Sequence, residues 1–218
     1  MLSRFSALVV MLCLSARIAA AQAPILAPDI RVGDTWKYRI LDGFTHETQG
    51  EATHRVVEVS DREITVQVGN NKNDKSALRY FNREWNAVDS GDIKYDPYYP
   101  EFKLPLTVGM TWKDKYSTSG TDGASYSGYV TAKVASLEKV TVPAGTFDAY
   151  RIEREVESRS ENANSIVTKS QITTWYAPAA RRFVRRQVTV SRDGRVRNKS
   201  EDELLEYGAA SASGAGAH

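Results

Sequence analysis

The chain has 218 residues, with 29 Lys and Arg against 27 Asp and Glu and a single cysteine. Setting aside Arg4 and Arg17 in the apolar leader leaves the two signs equal, so there is no basic excess of the kind a nucleic-acid surface requires. One cysteine builds neither a disulfide framework nor a cysteine metal site, and a chain of this length buries enough core to do without either.

The N-terminus reads as an export signal. Arg4 supplies the positive flank, Phe5 to Leu14 form an apolar run, and Ala19-Ala20-Ala21 is the small-residue site for cleavage before Gln22. About ten apolar residues are too few to cross a bilayer core of about 30 Å as a helix. The expectation is a signal peptide at 1–21, a mature protein in the periplasm or secreted, and no membrane span after cleavage. Cys13 lies inside the apolar run behind Leu12, whereas an acylated lipoprotein cysteine follows the run and a small residue. The mature chain is therefore expected to carry no thiol.

From there the chain alternates with period two. Ile64, Val66 and Val68 are separated by Thr65 and Gln67, Val140 and Val142 flank Thr141, Tyr150, Ile152 and Val156 share one parity, and Val188 and Val190 flank Thr189. This is the pattern of half-buried antiparallel strands. Turn signals separate the runs at Asp42-Gly43, Gly69-Asn70-Asn71, Ser90-Gly91-Asp92, Gly120-Thr121-Asp122-Gly123 and Asp193-Gly194. With Asp193-Gly194 as a two-residue hairpin loop, Arg192 faces Arg195, Arg186 faces Glu201, Arg185 faces Asp202 and Phe183 faces Leu204. Ser200 to Tyr207 could open on a Ser200–Glu203 capping box, but this hairpin makes the segment a strand.

The chain also repeats. Val32-Gly33-Asp34-Thr35-Trp36-Lys37 recurs as Val108-Gly109-Met110-Thr111-Trp112-Lys113, and at the same offset Ile64-Thr65-Val66 recurs as Val140-Thr141-Val142. The fold expected is all-β: one domain over 22–207, a single curved antiparallel sheet of half-barrel form, with closure around a cavity left open. It is built from a duplicated β-meander with halves at about 28–90 and 104–207. The Ala, Ser and Gly composition of 208–218 predicts a disordered tail.

Three segments carry a resemblance. Val32-Gly33-Asp34-Thr35-Trp36-Lys37-Tyr38, the stretch Val140 to Ile152 with its Val142-Pro143-Ala144-Gly145-Thr146-Phe147 centre, and Thr174-Trp175-Tyr176-Ala177-Pro178 occur in this order. Together they resemble the TapB-like group of exported bacterial domains of unknown function, over most of 28–207. The resemblance implies a long, curved antiparallel sheet similar to the half-barrel of the lipoprotein carriers LolA and LolB, and it implies no catalytic residue. Relatives in that group follow Trp-Tyr-Ala-Pro with glycines, where this chain has Ala179-Ala180-Arg181-Arg182. Read physically, Pro143-Ala144-Gly145-Thr146 is a tight turn and Pro178 ends a strand.

Catalytic chemistry is hard to assemble from what remains. His46 and His54 would lie roughly 26 Å apart along an unbroken strand and read as ordinary surface histidines, and His218 falls in the tail. Glu153, Glu155 and Glu157 share one strand face and read as a solvated exterior. No phosphate loop, zinc spacing or dinucleotide fingerprint occurs. The expectation is a protein that is not an enzyme, with no cofactor and no metal.

Binding is better represented. Trp36, Trp112, Tyr95, Tyr98 and Tyr99 are candidate contacts for a ligand or partner; the last three lie in a proline-broken aromatic loop, Tyr95 to Pro100. Arg181 and Arg182, at the head of the densest basic cluster, are candidate anion contacts. The function expected is binding of an apolar or lipidic molecule in the concave face. The alternative is a protein–protein interaction module of an envelope or secretion assembly, working through an exposed edge strand or the Tyr95–Tyr99 loop.

Overall fold

The computed structural model describes residues 27–71, 76–161 and 166–210; the expected signal peptide and the tail from 211 onward lie outside them. The alternating runs become strands β1 (Thr35–Asp42), β2 (Thr48–Val59), β3 (Glu63–Asn70), β4 (Ser76–Asn82), β5 (Ala87–Asp89) and β6 (Ile93–Tyr99). They continue as β7 (Thr111–Gly120), β8 (Ser125–Val142), β9 (Gly145–Ser160), β10 (Val167–Ala177), β11 (Arg182–Arg192) and β12 (Arg195–Gly208). A 3-10 turn, Pro178–Ala180, lies between β10 and β11. In β8 the parity is plain: Val130, Ala132 and Val134 are buried, while Tyr129, Thr131 and Lys133 face out.

Each strand pairs antiparallel with the next, and β12 returns to pair with β1 from Thr35↔Gly208 to Asp42↔Ser200. The sheet is therefore a closed twelve-stranded barrel, which corrects the expected half-barrel. Closure removes the two free edges an open sheet would leave. It depends on pairing between opposite ends of the chain, for which no local pattern exists.

Two further expectations shift. The proposed aromatic loop is strand β6, which runs against β7 as far as Asp96↔Ser117; Pro97, with no N–H to give, stands where that ladder ends. In the β11–β12 hairpin Arg192 does face Arg195, but the register slips between Val190 and Ser191, with Arg197 the extra residue. Arg186 thus faces Asp202 and Arg185 faces Glu203. At the end of the described residues Gly208 closes β12, and the Ala210 N–H donates to Asp34 Oδ1 at 2.9 Å.

The two Gly-x-Thr-Trp motifs open β1 and β7 in the same way. Gly33 and Gly109 take φ of 94° and 88°. The Gly33 N–H donates to Val56 O and the Val56 N–H to Asp34 O; the Gly109 N–H donates to Val134 O and the Val134 N–H to Met110 O. Both tryptophans are buried.

The core fills the barrel with Trp36, Tyr38, Ile64, Val66, Trp112, Val130 and Ile152. The connection between β6 and β7 tucks inside, burying Phe102 and Leu106. Asn86, fully buried, holds it there. Its side-chain oxygen accepts the N–H groups of Glu101 and Phe102 at 2.8 and 2.7 Å, and its amide donates to Phe102 O at 3.0 Å.

Candidate functional site: a charged aromatic cavity inside the barrel

Two neighbouring arginines part company at the start of β11. Arg181 follows the 3-10 turn in the left-handed region, φ 57°, and its guanidinium meets the fully buried Asp34 with two contacts of 2.9 Å and donates to Asp29 O at 2.6 Å. Arg182 turns into the barrel. Its guanidinium carbon lies 4.0 Å from the Trp85 ring centre, 5.2 Å from Phe81, 5.4 Å from Trp36 and 5.7 Å from Phe183. Nη2 lies 3.2 Å from His54 Nδ1, while Nε and Nη1 have no partner. Burial holds the Arg182 pKa below its ordinary value.

Around it is a polar network. Arg186 donates to Asp202 at 2.9 and 2.6 Å and lies 4.0 Å from Glu101. Glu101, brought in by the tucked connection, accepts from Arg154 at 3.1 Å, and Arg154 also reaches Thr174 at 3.3 Å. Beyond these lie Tyr95, Tyr99 and Tyr116, with ring centres 5.2 to 6.1 Å apart. Burial pushes the Tyr99 pKa up to about 12, so the phenol stays protonated. Gly128 makes room for Tyr116: a Cβ there would fall 2.2 Å from the ring.

These groups enclose a cavity of about 170 Å³. Phe81, Trp85, Tyr95, Tyr99, Phe102 and Phe183 give it aromatic walls, and Arg182, Arg186 and Glu101 its charge. Arg79, exposed, and Asp89, half-buried, also line it and mark the side that faces solvent. A larger groove of about 730 Å³ lies on the outer face of β8 to β11, among polar side chains such as Glu155, Glu157, Lys169 and Gln171.

Of the residues singled out in the sequence, Tyr95, Tyr99 and Arg182 line the cavity. Trp36 stands one ring behind, edge-on to Trp85 at 5.6 Å, its indole N–H bonded to Ala180 O. Trp112 and Tyr98 do not line the cavity, and Arg181 is committed to Asp34. Sequence reasoning missed Phe81, Trp85, Glu101 and His54, and reached Arg186 only as a member of the basic cluster. Trp85 has φ 67° at the β4–β5 turn, a conformation no composition cue announces, and Glu101 enters only because its connection folds inward. Glu153, Glu155 and Glu157 do lie on the outer face, where Arg151 and Lys169 pair with Glu153 and Glu157.

His54 is not the surface histidine expected. Its ring packs 5.2 Å from Tyr38 and is tied to Arg182. Burial, then the charges of Arg182, Arg79 and Arg186, hold its pKa well below the usual value. It is neutral in the fold but takes a proton near pH 6.5 when unfolded. Its contribution to stability is thus complete above about pH 6.5 and is lost as pH falls below it, at no more than about 1.4 kcal/mol per pH unit. His54→Gln, which keeps an acceptor for Arg182, is expected to flatten the fall of the urea midpoint between about pH 6.5 and 5. An unchanged slope would show that His54 does not control it.

Comparison with known proteins reaches the fold. A family model described as DUF3108-like matches residues 115–180, from within β7 to the 3-10 turn. No curated protein matches the sequence. The crystal structure of a candidate lipoprotein from Parabacteroides distasonis ATCC 8503 is similar over 86% of this chain and 100% of that one, at 14% identity and a TM-score of 0.56. A candidate exported protein with a YmcC-like fold from Bacteroides fragilis NCTC 9343 is similar over 86% and 100%, at 15% identity and a TM-score of 0.53. At these identities the likeness is one of fold. The matching model is described as DUF3108-like rather than TapB-like, and neither structure is described as a LolA or LolB carrier. Among the described residues, no helix is long and apolar enough to cross a membrane.

Proposed function

We propose that this is an exported, non-enzymatic binding protein that takes an apolar or lipidic ligand into its barrel. The observation that carries the reading is the aromatic-walled cavity inside a closed sheet, a recurrent place for ligands in β-barrels. At about 170 Å³ it is smaller than the roughly 300–1,000 Å³ of drug-sized pockets. It suits a small ligand, or one end of a longer one whose remainder leaves past Arg79. Glu101 is tied to Arg154, which supports binding over acid–base chemistry. The 1–21 leader, and neighbours described as a candidate lipoprotein and a candidate exported protein, support a periplasmic or envelope location. The matched hydrogen bonding of the two Gly-x-Thr-Trp motifs supports an origin by duplication.

The alternative, an interaction module, needed an open edge strand or an exposed Tyr95–Tyr99 loop. The closed sheet offers no such edge, and Tyr95 and Tyr99 face the cavity. The test is native mass spectrometry of the mature protein purified gently from its host envelope, followed by organic extraction. A co-purifying apolar or amphipathic molecule, lost in Trp85→Leu, is the expected result. A bare protein mass with an empty extract would overturn the reading and turn the search to protein partners.

A further inference from the structure

We infer that the ligand enters with an anionic group leading, a carboxylate or a phosphate monoester that seats on Arg182 and Arg186. The inference rests on the binding reading above and names the chemistry of what is bound. Arg182 is 5% exposed, yet its near polar neighbours are the His54 ring and the Tyr38 hydroxyl, no carboxylate pairs with it directly, and its Nε and Nη1 hydrogens have no partner. The four surrounding rings offer π faces to the cation, but the N–H bonds in the guanidinium plane still require oxygen acceptors. The cavity is where those acceptors can sit.

The charge count points the same way. Arg154, Arg182 and Arg186 meet in the interior with two carboxylates, Glu101 and Asp202. Asp202 is held by Arg186 at 2.6 Å and Glu101 by Arg154 at 3.1 Å. Both acids are committed, and one buried guanidinium is left over. A buried charge without a counter-charge is costly, and the unmet N–H groups of a guanidinium match the oxygens of a carboxylate or phosphate. Phe81, Trp85 and Tyr99 are placed to pack on the first carbons behind such a group. Water in the cavity could serve the same donors, and then neutral and anionic ligands of one chain length would bind alike.

The experiment titrates the ligand-stripped mature protein with octanoate, octyl phosphate, octanol and inorganic phosphate. Tryptophan fluorescence is the readout, since Trp85 stacks on Arg182. Octanoate or octyl phosphate is expected to bind about tenfold or more tightly than octanol, as charge-assisted hydrogen bonds imply, and Arg182→Gln to abolish the difference. Should that variant not fold, the wild-type melting temperature decides: it is expected to rise with the anionic ligand and not with octanol. Equal binding of octanol and both anions overturns the anionic head group while the binding reading stands. Failure of all four to bind overturns both. Inorganic phosphate binding as tightly as octyl phosphate supports the anion site and overturns the apolar or lipidic part of the proposed function.

Discussion

Asn86→Ala is expected to destabilise the protein by about 2–5 kcal/mol, the cost of two buried groups left unsatisfied. The side chain is fully buried and serves three backbone groups of the connection between β6 and β7, at 2.7, 2.8 and 3.0 Å. Alanine leaves the Phe102 N–H and carbonyl in the interior without partners, while the Glu101 N–H keeps its second acceptor, Tyr99 O, at 2.8 Å. The connection they belong to carries Glu101, the acceptor for Arg154, and Phe102, whose ring packs on Tyr176 at 5.5 Å. The loss should therefore reach the cavity wall as well as the stability. Urea unfolding checks this: a midpoint within experimental error of wild type would mean that the connection is held by its apolar residues alone.

Asp34→Ala should cost a similar amount, about 3–5 kcal/mol, because breaking a buried ion pair leaves its partner uncompensated. Asp34 is fully buried and accepts from Arg31 N–H, Ala210 N–H and the Arg181 guanidinium. One carboxylate thus joins the start of β1, the turn before β11 and the end of the described chain. Arg181→Gln strands the fully buried carboxylate with only the N–H groups of Arg31 and Ala210 and should cost about as much. In the double variant the losses should fall short of the sum of the singles. Additive losses would show that the two side chains act independently.

Much of this architecture could be read from residue order. The strand parities, the turns at Asp42-Gly43, Ser90-Gly91-Asp92, Gly120 to Gly123 and Asp193-Gly194, and the stop at Pro178 are local physics, and the structure places turns there. The site was legible in part, and Arg181 and Arg182 show why. They are adjacent and chemically identical, yet a single left-handed residue sends one to Asp34 and the other into an aromatic cage. Nothing within a few residues announces that turn. The same limit applies to His54, whose inward face is fixed by β1 and β11, and to Glu101, which is interior because Asn86 holds its backbone. The repeat holds a clue that is clear only in retrospect. Asp34 in the first copy stands where the second has Met110, and only the first copy has Arg181 to meet.

The pairing of β1 with β12 has a consequence for how the chain reaches its native state. Eleven of the twelve strand pairs join sequence neighbours, each able to zip from its own hairpin, whereas the last brings Trp36 to Tyr207. Loop-closure entropy rises only slowly with separation, but contacts of this range come late and slow the approach to the folded state. Until the C-terminal strand arrives, the nascent sheet is a ribbon with two raw margins, each able to recruit a stray strand from another molecule. Folding of this barrel is therefore a race between its own last strand and its neighbours.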